Sequence, residues 1–148
     1  MTGDSKERPH QHLDVWRDAM DLAAAVYAFS ANLPTEERHG LSSRMRRAAV
    51  SVPSNIAEGA ARRSPAELIR FLAIACGSLS GLGTRLLLAV QLGLAKPDAG
   101  LSQLLDHTFA RLNALIRSQE ARVFSVGEEP AFYESPITNN EQRPSHAR

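Results

Sequence analysis

Residues 40–60 of the chain read GLSSRMRRAAVSVPSNIAEGA, and this stretch decides the fold. Its apolar side chains recur at steps of three and four residues, which is the spacing of one helix face. They are Leu41, Met45, Ala48, Ala49, Val52 and Ile56. A proline inside this pattern removes one backbone hydrogen bond and crowds the preceding turn. We therefore predict an amphipathic helix that bends at Pro53, with the hydroxyl of Ser51 or Ser54 donating to the carbonyl that the proline leaves free.

Three further segments repeat the helical spacing, over residues 13–31, 65–92 and 97–122. The start at Ser64 and Pro65 is well marked, because Glu67 completes a capping box. The first helix has two apolar stripes, which predict contact with two neighbouring helices or an oligomer. One stripe contains Leu13, Trp16, Met20, Ala23 and Tyr27, and the other contains Val15, Ala19, Leu22, Val26, Phe29 and Leu33.

Four long helices joined by short turns predict an all-α fold, an antiparallel up-down-up-down four-helix bundle. Residues 12–123 are expected to form this bundle as a single domain. The polar segments at the two ends, residues 1–11 and 124–148, are expected to be disordered N- and C-terminal tails.

The composition excludes several classes of protein. Cys76 is the only cysteine, so neither an intrachain disulfide nor a cysteine-based metal site can form. The N-terminal residues lack the apolar run of a signal peptide, and no segment approaches the ~18 uninterrupted apolar residues that a membrane span needs. No two histidines have the four-residue spacing of a metal site on a helix. We expect a cytoplasmic protein that uses no membrane, metal or cofactor.

The charged residues are distributed unevenly along the chain. Residues 1–37 contain three basic and seven acidic side chains, whereas residues 38–70 contain seven arginines and two glutamates. We predict a nucleic-acid-binding surface that contacts phosphates without reading sequence, formed by Arg44, Arg46, Arg47, Arg62, Arg63 and Arg70. No aromatic residue is interleaved with these arginines, so base stacking is not expected. In the alternative interpretation, the arginines form a solvated face or pair with acidic residues of a neighbouring subunit.

Four residues near the proline form a second group, Pro53, Asn55, Glu58 and Gly59. We interpret this group as a structural motif, in which Asn55 hydrogen-bonds near the bend or Glu58 pairs with an arginine across helices. A catalytic glutamate is the competing interpretation. Small helical ribonucleases of the HEPN type have an arginine and a later histidine with four to six residues between them, and none of the five histidines follows an arginine at that distance. We therefore expect a protein that is not an enzyme.

Several motifs together resemble those of one family. They are residues 13–16 (LDVW), 46–59 (RRAAVSVPSNIAEG) and 77–79 (GSL), with Leu33-Pro34 and Gly40-Leu41 between them. These motifs are similar to those of the four helix bundle protein family, also called the 23S rRNA-intervening sequence protein family. A relative is Avd, the accessory variability determinant of diversity-generating retroelements.

The resemblance implies a homopentameric, barrel-like ring. For Avd it also implies a basic surface that binds nucleic acid and a reverse transcriptase. The chain departs from the family pattern in two places, because Arg44 stands where glutamine is usual and residues 80–83 (SGLG) lack the usual acidic residues. We therefore weigh three functions: an oligomeric nucleic-acid-binding or scaffolding protein, a purely structural or protein-binding ring, and a ribonuclease.

Overall fold

The computed structural model describes residues 8–125, and these residues form four α-helices: α1 (Asp14–Ala31), α2 (Leu41–Ala60), α3 (Pro65–Gln91) and α4 (Ala99–Ser125). Each helix packs on the next, and α4 returns to pack on α1. The short connections require successive helices to run antiparallel. The predicted all-α four-helix bundle is therefore confirmed.

The helix ends follow from local hydrogen bonds. Ser64 Oγ accepts a 3.1 Å hydrogen bond from the Glu67 amide, so the predicted start of α3 is confirmed. Asp98 Oδ1 accepts from the Leu101 amide at 3.0 Å, and α4 consequently begins at residue 99 rather than at 97. Gly93 ends α3 with a φ of 74°, in the left-handed region that glycine adopts without strain.

The boundaries of the predicted tails need correction. Pro9–His12 form a short 3-10 helix that begins within the segment expected to be disordered, and α4 continues to residue 125 rather than ending at 122. A second 3-10 helix, Thr35–Glu37, leads into α2, where the Leu41 amide donates to Glu37 Oε2 at 3.1 Å. The remaining residues of both predicted tails lie outside the described part of the chain.

All four helices contribute to one core. The largest fully buried side chains include Leu22, Met45, Ile56, Leu72, Leu79, Leu82 and Leu112. The second predicted stripe of α1 is buried apart from half-buried Phe29, but Met20 and Tyr27 of the first stripe are exposed. The first stripe is only partly covered because α1 packs on α2, α4 and the short Pro9–His12 segment, and within residues 8–125 no further α-helix lies outside it.

Charged side chains connect α1 to α4. Arg111 Nη1 lies 3.1 Å from Asp18 Oδ2 and 3.7 Å from Asp14 Oδ2, and His107 Nε2 lies 3.4 Å from Asp18 Oδ2. Asp18 Oδ2 is buried and makes no aligned hydrogen bond, so its contact with the Arg111 guanidinium is ionic rather than directional. This cluster fixes the α1–α4 side of the bundle, opposite to the α2–α3 pair.

Helix α3 is long and apolar enough, by length and composition, to cross a membrane. A single helix of this kind is weak evidence for a membrane span, because a core helix of a bundle has the same composition. In the fold described here, α3 packs on α2 and α4, and 22% of its most apolar window is buried.

Candidate nucleic-acid interface

Three of the six predicted arginines are engaged in contacts within the chain. Arg46 donates from Nε to Ser30 Oγ at 2.7 Å, and its guanidinium carbon lies 4.6 Å from the centre of the Tyr27 ring. Arg62 and Arg70 flank the Phe71 ring at 5.0 and 5.6 Å. They also pair with nearby carboxylates, Arg62 with Glu58 at 3.2 Å and Arg70 with Glu67 at 3.8 Å.

The other three, Arg44, Arg47 and Arg63, are exposed. Within residues 8–125 no carboxylate lies at ion-pair distance from any of them. Their charge is therefore available to an anionic ligand, because guanidinium groups stay protonated and offer a fixed fork of donors to phosphate. The predicted surface is thus divided into a structural half and an unpaired half.

The unpaired half continues onto α3 through Arg85, which the sequence reasoning missed. Arg44 and Arg47 of α2 and Arg85 of α3 line a groove of about 500 Å³ between the two helices. The remaining lining residues are Ala48, Gly77, Ser78 and Gly81, so no acidic residue of the described chain borders the groove.

Two glycines form the α3 side of this groove. A Cβ at position 81 would lie 2.6 Å from Arg85 Nη1, so the guanidinium folds directly over the Gly81 backbone. A Cβ at Gly77 would meet nothing within 4 Å. The four-residue spacing of Gly77, Gly81 and Arg85 places them on one helix face, and this is the signal that could have identified Arg85 from the sequence.

A second cleft lies on the α1 side of α2, at the C-terminal end of α1. It has a volume of about 800 Å³, and its lining includes Tyr27, Arg38, Arg46, Arg47 and Val50, together with serine hydroxyls. No aromatic residue is interleaved with the arginines in sequence, but the fold places the Tyr27 ring beside Arg46 and the Phe71 ring beside Arg62. Arg47 lines both this cleft and the α2–α3 groove.

The group around Pro53 makes hydrogen bonds within the bundle. Asn55 Nδ2 donates to the Ser51 carbonyl at 2.8 Å and to Ser51 Oγ at 2.9 Å, and Ser51 Oγ lies 2.8 Å from Ser78 Oγ of α3. These bonds connect the middle of α2 to α3. The structural interpretation of Asn55 therefore fits its contacts.

Two details of the motif differ from expectation. Ser54 Oγ donates to the Val50 carbonyl at 2.7 Å, whereas the carbonyl that Pro53 leaves free is that of Ala49. Glu58 pairs with Arg62 one turn further along the chain rather than across helices. Helix α2 runs through Pro53 without a break, and the bend itself stays a prediction.

Other chemistry is limited in the part of the chain that the structure describes. No three His, Cys, Asp or Glu side chains meet there in a way that suits a metal ion. Cys76 on α3 is half-buried, and this burial raises the pKa of its thiol. A raised pKa lowers the thiolate fraction that a nucleophile needs.

The family described as 23S rRNA-intervening sequence protein matches residues 11–114, and the chain belongs to this family. A search of curated proteins finds no match.

Proposed function

We propose that the protein is a non-enzymatic, oligomeric accessory or scaffolding factor that binds nucleic acid through phosphate contacts in the cytoplasm. The observation that carries this proposal is the convergence of Arg44, Arg47 and Arg85 on one groove without an acidic neighbour. Unpaired guanidinium groups on a glycine-lined surface allow a phosphate backbone to approach closely. Arg63, exposed at the α2–α3 connection, is a further arginine without a carboxylate partner among the described residues.

The test compares two triple variants with the same change in charge. Arg44→Gln, Arg47→Gln and Arg85→Gln remove the groove charges, whereas Arg17→Gln, Arg117→Gln and Arg122→Gln remove three charges that do not line it. Binding of a labelled 20-nucleotide strand is measured by fluorescence anisotropy over a range of salt concentrations. We expect the groove variant to bind at least about tenfold more weakly at low salt. The slope of log K against log salt is expected to become less steep by about 2, because fewer phosphate contacts release fewer counterions. Equal effects of the two variants would show that the groove has no special role.

The oligomeric part of the proposal rests on the outer face of α3. Arg85 is the only charged residue between positions 71 and 95, and only 22% of the most apolar 18-residue window of α3 is buried within one chain. Ile74, Leu87 and Leu88 are exposed on this helix. A partly apolar face with a single charged residue is suited to contact with further copies of the chain, and the family resemblance points to a pentamer.

The oligomer is tested by native mass spectrometry and light scattering. Leu87→Glu with Leu88→Glu places charge on the proposed interface, and Phe124→Glu changes a residue of α4 that is 82% exposed. We expect the double variant to reduce the mass of the particle and the Phe124 variant to leave it unchanged. A wild-type protein that is monomeric at about 100 μM would exclude the ring.

A structural ring without nucleic acid is the second candidate, and the same outer face of α3 favours it. It predicts that Arg44→Gln and Arg47→Gln dissociate the oligomer, whereas the nucleic-acid proposal predicts that they weaken binding and leave the oligomer intact.

A reverse-transcriptase partner, as in Avd, would be supported by a reverse transcriptase gene and a repeated template next to this gene. Cleavage of RNA that a single substitution abolishes would contradict the proposal that the protein is not an enzyme.

A further inference from the structure

Tyr27 is an aromatic residue that the bundle core does not use. It lies on the last turns of α1, is 45% exposed and lines the cleft between α1 and α2. Its hydroxyl makes no hydrogen bond to any described residue. The ring therefore presents apolar surface to a solvent-filled cleft, where core packing does not require it.

Arg46 holds this ring in place. Its guanidinium stacks on Tyr27, donates to Ser30 Oγ at 2.7 Å and reaches the Tyr27 carbonyl oxygen at 3.4 Å. Ser30 itself is buried and donates to the same carbonyl at 3.2 Å. Because several contacts fix the guanidinium, the ring and the arginine form a rigid stacked pair on the wall of the cleft, and a rigid platform loses little entropy when a ligand binds.

The rest of the cleft suits a nucleotide unit. Arg38 and Arg47 contribute unpaired positive charge, Ser42 and Ser43 contribute hydroxyls, and no carboxylate among the described residues lines it. A flat base offers a π-face to the tyrosine, while its phosphates meet the guanidinium groups. A sulfated polysaccharide could use the same arginines but has no flat base to place on the ring.

Arg47 connects this cleft to the groove of the proposed function. It lines both depressions, one on the α1 side of α2 and the other on the α3 side. A flexible strand whose phosphates contact Arg44 and Arg85 can therefore cross α2 at Arg47 and enter the cleft beside Tyr27. A duplex cannot do this, because its bases are stacked and paired inside the helix.

We propose that the protein binds single-stranded nucleic acid, with one base stacked on Tyr27 and the adjoining phosphates held by Arg47 and the α2–α3 groove. This inference rests on the proposed function and adds to it a preference for exposed bases. It assigns Tyr27 as a binding residue and Arg46 as the residue that positions it.

The experiment uses the full-length protein and three labelled probes of equal length: a thymidine strand, a strand of abasic sites and a duplex. The wild-type protein is expected to bind the thymidine strand about tenfold more tightly than the abasic strand, since stacking on an aromatic side chain contributes about 1–3 kcal/mol per base. This comparison requires no mutation, so a folding defect cannot obscure it. Equal binding of the two strands would overturn the proposal.

Two substitutions locate the effect. Tyr27→Ala is expected to remove most of the advantage of the thymidine strand and to leave both the abasic strand and the salt slope unchanged. Tyr27→Phe, which keeps the ring, and Phe124→Ala, which removes an exposed ring on α4, are expected to behave as wild type. A Tyr27→Ala variant that keeps the preference, or that weakens both strands equally, would overturn the assignment. If no probe is retained at low salt, it is the proposed function that fails, whereas equal retention of both strands refutes only the role of Tyr27.

Discussion

The backbone at Gly59 lies directly against Phe71, so that a Cβ added to residue 59 would be 2.8 Å from the Phe71 Cβ and 3.0 Å from Leu68 Cδ1. Real Cβ atoms do not approach this closely, and helices α2 and α3 can therefore meet here only because residue 59 has no side chain. The same Phe71 ring lies between Arg62 and Arg70. The glycine of the Pro53 motif thus sets the spacing of the two helices that carry the unpaired arginines.

The close approach predicts opposite effects for two Gly→Ala substitutions. Gly59→Ala is expected to lower the free energy of unfolding by about 1–3 kcal/mol, because the methyl group forces α2 and α3 apart. Gly77→Ala on α3 meets no atom within 4 Å and is expected to raise it by up to about 1 kcal/mol through better helix propensity. Urea unfolding followed by circular dichroism measures both. Effects of the same sign at the two positions would contradict the packing argument.

The helices and the core could be predicted from the sequence because they depend on local periodicity. The spacing of Met45, Val52 and Ile56 on α2 reports burial directly, and all three are fully buried. Boundaries were less accurate, since the start of α4 depends on the side chain of Asp98, which accepts from the Leu101 amide, rather than on the proline before it.

The arginine surface could be predicted only in part. Arg46 and Arg47 are adjacent in sequence, yet one stacks on a ring 19 residues earlier and the other faces two clefts. Such differences depend on how α1 and α3 pack on α2. The distribution of charges along the sequence does not reveal this packing. Arg85 was missed for the same reason, since its contribution to the groove requires the pairing of α2 with α3.

The hydroxyl pair Ser51–Ser78 predicts an energetic coupling between α2 and α3. Each Ser→Ala substitution is expected to cost about 0.5–1.5 kcal/mol, because it leaves the partner hydroxyl without its hydrogen bond. The double substitution is expected to cost less than the sum by about 0.5–1 kcal/mol. A double-mutant cycle in urea measures this term, with Ser80→Ala on the exposed side of α3 as the control. A coupling of zero would mean that the 2.8 Å contact does not stabilise the helix pair.

The burial of Asp18 predicts that the packing of α1 against α4 depends on its ion pair with Arg111. Its side chain is only 18% exposed, and Arg111 Nη1 lies 3.1 Å from its carboxylate. Arg111→Gln is expected to lower the free energy of unfolding by about 1–3 kcal/mol, because a largely buried charge loses its closest partner. Arg117→Gln, at an exposed position of the same helix, is expected to change it by less than about 0.5 kcal/mol.

A second substitution tests the mechanism of that loss. Asp18→Asn removes the buried charge, so in the Arg111→Gln background it is expected to restore part of the stability. Thermal and urea unfolding of the two single variants and the double variant measure this recovery. If Asp18→Asn makes the Arg111→Gln protein less stable still, an uncompensated charge is not the cause.

The burial of Cys76 predicts that the folded protein becomes less stable as the pH rises above the ordinary pKa of a thiol. Burial raises the pKa of its thiol, so the folded protein holds this proton more tightly than the unfolded chain does. The resulting stabilisation is fully present below the ordinary cysteine pKa of about 8.5 and is lost as the pH rises through the folded-state pKa. Between pH 8 and pH 10, wild-type protein should therefore lose more stability than Cys76→Ala.

Because Cys76 is the only cysteine, alkylation by iodoacetamide reports this one site, and at pH 8 the folded protein should react more slowly than the chain in urea. Equal alkylation rates in the two states would mean that α3 does not shield the thiol from water.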